Sequence, residues 1–131
     1  MQAKRILETC LYVDDLQAAE AFYKRVLGLE CFARNEGRHA FFRCGEQLFL
    51  IFNAEETKKS TGTIPPHGAV GEGHVGFRME PEESMSWYKH LEKLNITIES
   101  EVPSENGYSA IYFRDPSGNS IELVTREWWD D

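Results

Sequence analysis

The sequence predicts an α+β fold of two tandem βαβββ modules, which form an open, cleft-containing mixed β-sheet with the helices outside. Two matches within the chain predict this duplication. The letters AFYKRVLGL match SWYKHLEKL, so two helices correspond, and FFRCGEQLFLI matches YFRDPSGNSIELV, so two hairpins correspond. Agreement at a helix and a hairpin in the same order favours an internal repeat over chance similarity, and a repeat decides the fold class.

The first module begins with a strand, Arg5–Val13, in which apolar and polar residues alternate. Asp14 or Asp15 is placed to cap the helix that follows, and Gly28 is placed to end it. The apolar residues between them recur near the period of a helix: Leu16, Ala19, Phe22, Tyr23, Val26 and Leu27. Three further strands are expected at Leu29–Ala33, His39–Cys44 and Gln47–Phe52.

The same order starts again after Asn53–Glu72, a segment without strong periodicity. His74–Met79 alternates as a strand, and Pro81 suits the first turn of the next helix. Strands are expected to follow at Thr97–Glu101, Ser109–Arg114 and Ser120–Thr125. We therefore expect a single domain over residues 1–131, with modules at about 1–53 and 73–127 joined by a loop.

The charge of the chain disfavours several classes of partner. Its 131 residues carry a formal net charge of −8. This disfavours nucleic acid, since binding there depends on Lys and Arg neutralising phosphates. No segment is both basic and amphipathic, and no apolar run approaches the ~20 residues that span a bilayer, so no membrane partner is expected. The expected partners are a small-molecule substrate and a second copy of the chain in a homodimer, with Trp128 and Trp129 as candidates for that contact.

The three cysteines, Cys10, Cys31 and Cys44, are odd in number and lack metal-knuckle spacing. We interpret them as reduced thiols of a cytoplasmic protein, because disulfides are rare in reducing compartments. The first residues run straight into a strand-like segment and do not resemble a signal peptide.

The repeat brings four positions into correspondence. Glu8 corresponds to His74 in the first strand of each module, and Phe49 corresponds to Glu122 in the last strand. Residues opposite the aliphatic stripes of two related half-sheets are expected to face a shared concavity. One imidazole nitrogen and two carboxylates can hold a divalent cation and leave positions open for water and substrate. Glu8, His74 and Glu122 are therefore candidate metal ligands; the alternatives are a solvated strand carboxylate and a structural histidine.

Three stretches match a known pattern: LYVDDLQAAEAFYKRVLGL from Leu11, GHVGFRM from Gly73 and IYFRDPSGNSIELV from Ile111. Together they make essentially the whole chain resemble the vicinal oxygen chelate superfamily, also called the glyoxalase/bleomycin-resistance/extradiol-dioxygenase superfamily. The resemblance implies paired βαβββ modules around an open cleft, with metal ligands on the first and last strands. By position, His74 and Glu122 match the usual ligands, whereas Glu8 stands where His or Gln is commoner. Phe49 stands where glyoxalase-type lyases supply a further carboxylate.

The same resemblance implies a metal-dependent enzyme that acts on a small molecule. Ring-cleaving extradiol dioxygenases have a substrate-binding tyrosine where this chain has Tyr112, so dioxygenase chemistry is favoured, with His67 as a candidate acid–base residue. The alternatives are a glyoxalase-like lyase or isomerase, a transferase, and a metal-free protein that binds a drug or metabolite. Fe²⁺ or Mn²⁺ is the favoured metal, with Zn²⁺ or Ni²⁺ as alternatives.

The cleft side of the strands is expected to form a partly apolar pocket, with arginine available for an anionic group. The residues assigned to this pocket are Cys10, Phe41, Arg43, Phe49, Ile51 and Arg114. Arg43 and Arg114 are equivalent across the repeat, and the alternative role for both is a salt bridge at a strand end.

Overall fold

The computed structural model describes residues 1–59, 62–105 and 108–125. Trp128, Trp129 and the last residues of the predicted second module lie outside these ranges. The chain divides into two compact units, Met1–Gly71 and Glu72–Asp131, and each has its own sheet. That the two units make up one domain stays a prediction.

The first unit is a βαβββ module followed by a short helix. Its elements are β1 (Glu8–Val13), α1 (Leu16–Leu27), β2 (Glu30–Asn35), β3 (His39–Cys44), β4 (Gln47–Asn53) and α2 (Ala54–Thr57). The strands lie in the order β1-β4-β3-β2, with β1 parallel to β4 and the other neighbours antiparallel. A parallel pair needs a crossover connection, and α1 begins that connection.

Helix α1 follows the predicted pattern closely. The Asp15 carboxylate accepts a hydrogen bond from the Ala18 backbone N–H at 3.0 Å, and Gly28 ends the helix at φ 66°. The helix buries Tyr23 against the sheet, with its ring 4.8 Å from that of Phe49 and 6.1 Å from that of Phe42. The core of this unit therefore lies on the helix-covered face of its sheet.

The second unit repeats the plan. Its elements are β5 (His74–Met79), a 3₁₀ turn (Pro81–Glu83), α3 (Ser84–Lys93), β6 (Ser100–Glu105), β7 (Tyr108–Arg114) and β8 (Ser120–Thr125). The strand order is β5-β8-β7-β6, again with a parallel first pair. The largest buried side chains come from the stripes that alternate with the polar face: Met79, Leu91, Ile111, Phe113, Ile121 and Leu123.

Several element boundaries differ from the prediction by one to four residues, and one short helix was not predicted. Strand β1 starts at Glu8 instead of Arg5, and the unpredicted helix α2 begins where Asn53 accepts hydrogen bonds from two backbone N–H groups. Strand β6 starts at Ser100 instead of Thr97. Asn95 takes a positive φ of 58°, and the Ile96 N–H still bonds the helical carbonyl of Leu91, so the chain is leaving α3 at this point.

Two tandem βαβββ modules, each with a four-stranded mixed sheet, confirm the predicted fold class. Within the described ranges, no helix is both long enough and apolar enough to cross a bilayer.

Candidate metal centre

The pairing of β5, β8 and β7 sets His74, Glu122 and Tyr112 on one face of the second sheet. Two rows of opposed residues cross these three strands: His74, Ser120 and Arg114 form one row, and Gly76, Glu122 and Tyr112 form the next. Because side chains alternate between faces along a strand, members of both rows project from the same face. The apolar residues between them, such as Ile121, project into the core.

The ring of His74 lies between two oxygen atoms. Its Nδ1 is 3.1 Å from the backbone carbonyl oxygen of Ser120, and its Nε2 is 3.3 Å from Oε2 of Glu122. A neutral imidazole has only one N–H, so it can donate to only one of these oxygens. With the proton on Nδ1, donated to the carbonyl, Nε2 presents a lone pair toward a carboxylate oxygen.

The Glu122 carboxylate is held from its other side. The Tyr112 hydroxyl donates to Oε1 at 2.8 Å, which leaves Oε2 toward the histidine. The Glu122 side chain is only 14% exposed, whereas that of His74 is 51% exposed. Gly76, opposite Glu122 in the parallel pair, makes room, because a Cβ at that position would lie 3.3 Å from Oε2. Glu122 is therefore held in place by residues of its own unit, whereas the His74 side chain is accessible to solvent.

A buried turn fixes the ends of the two strands that carry the pair. Asn119 accepts a hydrogen bond from the Gly73 backbone N–H at 2.7 Å, so it ties the residue before His74 to the residue before Ser120. Asp115 in turn accepts from the Asn119 side chain and backbone, both at 2.9 Å. The stretch DPSGN thus positions the candidate ligands as well as reversing the chain.

The arrangement fits a metal ion in two respects. Ligand atoms about 2.1 Å from one ion lie roughly 3.0–3.4 Å apart, so the 3.3 Å separation of Nε2 and Oε2 suits two ligands of the same ion. Metal-binding histidines also commonly donate their other N–H to a backbone carbonyl, as Nδ1 is placed to do here.

The third candidate ligand, Glu8, lies in the first unit. It is exposed at the start of β1, in a cross-strand row with Leu48 and Arg43. The described residues of either unit, taken by itself, contain no group of three His, Cys, Asp or Glu side chains that could hold an ion. The metal role of Glu8 therefore stays a prediction.

The pairing of the strands corrects the predicted equivalence of Phe49 and Glu122. Glu122 faces Gly76 and Tyr112, and the first-unit residue that faces the corresponding positions, Cys10 and Phe41, is Leu50. Phe49 was therefore matched one residue out of register. The cause is the unequal length of the two hairpin turns, and a slip of one residue moves a strand side chain to the other face.

Two of the predicted pocket residues consequently lie in the core. Phe49 and Ile51 are buried on the helix side of the first sheet, with Phe49 packed edge-on against Tyr23. Their assignment to the pocket is wrong. The first-unit position equivalent to Glu122 is still apolar after this correction, because Leu50 has no group that could act as a metal ligand or base.

The open face of the first sheet carries three of the remaining predicted pocket residues, Cys10, Phe41 and Arg43, whereas Arg114 lies in the row of His74 on the second sheet. His67 also reaches this face, with Nδ1 2.7 Å from the Tyr12 hydroxyl and its ring edge-on to Phe52. Burial, and then the neighbouring Cys10 thiol, raises the pKa of Tyr12. The structure thus pairs His67 with Tyr12 inside the first unit.

Three contributors to these sites were missed in the sequence: Gly76, the Ser120 carbonyl and Tyr12. A glycine inside a strand often marks a close approach, so Gly76 could have been found. The other two depend on which strands pair and in which register, which local sequence does not show.

Comparison with known proteins adds an independent line of evidence. The crystal structure of a lactoylglutathione lyase from Agrobacterium tumefaciens is 40% identical, covers 100% of both chains and gives a TM-score of 0.94. The metallothiol transferase FosB of Staphylococcus saprophyticus is 30% identical over 115 residues, 86% of this chain and 71% of the relative. A probable lactoylglutathione lyase of Vibrio parahaemolyticus is 29% identical over 135 residues, 95% of this chain and 92% of the relative.

The sequence also matches a family model from residue 5 to residue 123, a span that includes both hairpins and all three candidate ligands. The chain belongs to the Glyoxalase/Bleomycin resistance protein/Dioxygenase superfamily.

Proposed function

We propose that this chain is a divalent-metal-dependent enzyme that acts on a small molecule with two neighbouring oxygen atoms. The reaction adds a thiol to this molecule or releases a thiol from it. The placement of His74 carries the proposal. Its two nitrogens face a carbonyl oxygen at 3.1 Å and a carboxylate oxygen at 3.3 Å. If Nδ1 donates, the lone pairs of Nε2 and Oε2 face each other, and a cation between them would satisfy both.

The proposed ligands are His74, Glu122 and Glu8. Two carboxylates and one imidazole favour Mn²⁺ or Fe²⁺, with Zn²⁺ or Ni²⁺ as alternatives. A bound divalent ion would supply Lewis acidity, which stabilises negative charge on a chelated oxygen.

The residues of the chain have separate tasks in this proposal. Tyr112 holds Oε1 of Glu122 so that Oε2 is presented, and the Ser120 carbonyl fixes the tautomer of His74. The high exposure of His74 leaves a path for substrate. His67, held against Tyr12, remains the proposed acid–base residue.

The choice of thiol chemistry rests on two kinds of support. Both named activities, metallothiol transferase and lactoylglutathione lyase, concern thiol compounds. Within this chain, Leu50 occupies the position where the resemblance implies a further carboxylate in glyoxalase-type lyases. A missing ligand and base favours addition or release of a thiol over isomerisation.

Ring-cleaving dioxygenase chemistry is the second candidate, because the Tyr112 hydroxyl lies beside the Glu122 carboxylate. The two reactions consume different co-substrates. A thiol transferase depletes free thiol when supplied with glutathione and an oxirane or aldehyde, whereas a dioxygenase depletes O₂ when supplied with a catechol.

The first test is the metal content of the purified, tag-free protein by mass spectrometry, after supplementation with Mn²⁺, Fe²⁺, Zn²⁺ or Ni²⁺. We expect about one ion per chain in the wild type and a large loss in His74→Ala and Glu122→Gln. His90→Ala is the matched control, since His90 lies on α3 against Trp87, outside this face. No metal in the wild type, or full metal in both ligand variants, contradicts the proposal. Unchanged ligand binding after chelation would then indicate a metal-free binding protein.

The assembly and location are also proposals: a homodimer in the cytoplasm. The three cysteines are free thiols in the structure, as a reducing compartment would allow. Light scattering during size-exclusion chromatography should give twice the chain mass of 15.1 kDa. A mass of one chain at micromolar concentration contradicts the dimer.

A further inference from the structure

The open face of the first sheet contains an arginine in a distinctive position. Arg43 is the third residue of a cross-strand row that begins with Glu8, passes through Leu48 and ends at Glu30 on β2. Neighbouring strands lie about 4.8 Å apart, so Arg43 is about 10 Å across the sheet from Glu8. Phe41, in the next row, is half-buried and adds apolar surface beside Arg43.

Glu30 stands opposite Arg43 in the strand ladder, but no carboxylate oxygen of the described residues lies within 4.0 Å of the Arg43 guanidinium. Four other arginines, Arg5, Arg34, Arg78 and Arg114, do have carboxylate partners within 4.0 Å. Arg25 and Arg38 also have no carboxylate within 4.0 Å among the described residues, so Arg43 is distinguished by its place on the open face together with the missing salt bridge.

The repeat supplies an internal comparison. Arg114 occupies the equivalent place, in the row that begins with His74. Its guanidinium is 2.9 Å from Glu99 and 3.3 Å from Glu72, and the hydrogen bond that it donates to Glu99 raises the pKa of Arg114. The salt bridge considered for both arginines from the sequence is therefore present at Arg114, whereas Arg43 has none in the described part of the chain.

Arg43 lies instead on the aromatic ring of Phe32. Its guanidinium carbon is 4.3 Å from the centre of the Phe32 ring, close enough for a cation–π contact. Phe32 lies 6.4 Å from Phe41, and the Phe41 ring stacks on His39 at 4.1 Å. A guanidinium stacked on a ring keeps its N–H edges free to bind an anion.

We propose that Arg43, with Phe32 and Phe41, binds the anionic end of the substrate, and that the substrate is a carboxylate or phosphonate with a flat apolar body. This inference rests on the proposed function in one respect: the other end of the substrate is taken to chelate the metal near Glu8. The anion subsite itself is a property of the first unit.

The test uses two probes of nearly equal shape, naphthalene-2-carboxylate and naphthalene-2-carboxamide, titrated into metal-free protein by calorimetry. We expect the wild type to prefer the carboxylate by about tenfold, the effect of one charge-assisted hydrogen-bonded pair. Arg43→Gln should lose this preference with little change for the carboxamide, and Arg43→Lys should restore part of it. Phe32→Ala should weaken both probes equally.

Arg114→Gln is the matched control. It should keep the preference for the carboxylate, because the charge of Arg114 already has two carboxylate partners. Equal binding of both probes by the wild type overturns the inference, as does a preference that survives Arg43→Gln in protein with a native circular dichroism spectrum.

The result can be separated from that of the metal experiment. Loss of the carboxylate preference in Arg43→Gln together with no metal in the wild type supports the anion subsite and contradicts the metal enzyme. Stoichiometric metal with no effect of Arg43→Gln supports the enzyme and contradicts the subsite.

Discussion

Tyr112 illustrates how a single hydroxyl positions a candidate ligand. It donates to Oε1 of Glu122 at 2.8 Å and so fixes the rotation of the carboxylate. We expect Tyr112→Phe to lower metal affinity by roughly 10–100-fold, the usual effect of removing a partner of a metal ligand. Competition with a fluorescent chelator measures this affinity.

Tyr88→Phe is the control for that experiment, since it removes a tyrosine hydroxyl from α3 and not from the candidate centre. If Tyr112→Phe binds metal as tightly as the wild type, Glu122 is held by its strand alone. A loss of catechol turnover without a loss of metal would favour the dioxygenase reading of Tyr112.

His39 makes stability depend on pH. Burial, and then the adjacent Arg38 charge, lowers its pKa from the ordinary value of 6.5, and the Arg38 guanidinium lies 2.7 Å from its Nδ1. The unfolded chain therefore takes up a proton before the folded chain does as pH falls. The contribution of neutral His39 to the free energy of unfolding is fully present above pH 6.5 and is lost as pH falls through the pKa of the folded state.

We expect His39→Gln to reduce the loss of stability between pH 7.5 and pH 5.5, measured by urea unfolding, because glutamine can accept from Arg38 without titrating. His90→Gln is the control and should leave that difference as in the wild type. The same pH dependence in wild type and His39→Gln contradicts the role assigned to His39.

At the scale of elements, the turn between β7 and β8 determines how β5 meets β8. Asn119 is 1% exposed, and its side chain joins Gly73 to Asp115. Asn119→Ala leaves the partly buried Gly73 N–H without its acceptor, and an unsatisfied buried donor typically costs about 1–3 kcal/mol. We expect this loss in the free energy of unfolding, together with weaker metal binding.

Ser117→Ala is the matched control, because Asp115 accepts from the Ser117 backbone N–H, which alanine retains. It should lose less stability than Asn119→Ala, because it keeps the backbone hydrogen bond to Asp115. If Asn119→Ala is equally stable, the strand ladder alone aligns β5 with β8.

At the scale of the whole molecule, a metal that binds only the folded chain should raise the unfolding temperature. With free metal at a hundredfold excess over Kd, the stabilisation is about 2.7 kcal/mol. Differential scanning fluorimetry with and without Mn²⁺ measures it. Glu8→Gln should reduce the shift if Glu8 is the third ligand, whereas Glu46→Gln, on the β3–β4 turn, should not.

An undiminished shift in Glu8→Gln would show that His74 and Glu122 bind the ion without Glu8. That outcome would remove the first unit from the centre. It would leave the pair in the second unit as the proposed site.

The candidate site was predictable only in part. Alternation of apolar and polar residues was sufficient to place His74, Glu122 and Tyr112 on one face, because that face follows from the twofold period of a strand. The match of Phe49 to Glu122 was wrong because the alignment by residue type did not account for the extra residues in the β7–β8 turn. Leu50 is the counterpart in the strand ladder.

By itself, the sequence determined the duplicated βαβββ plan, the cap and end of α1, and the polar stripes of β1, β5 and β8, since these depend on local periodicity. Only the tertiary structure decided strand register, the placement of the His74 ring between two oxygen atoms, and the contrast between Arg114, which has carboxylate partners, and Arg43, which lies on the Phe32 ring without one in the described part of the chain. Those features join residues far apart in the chain. Hydrogen bonds between strands and the packing of their side chains select them, and no local pattern encodes that selection.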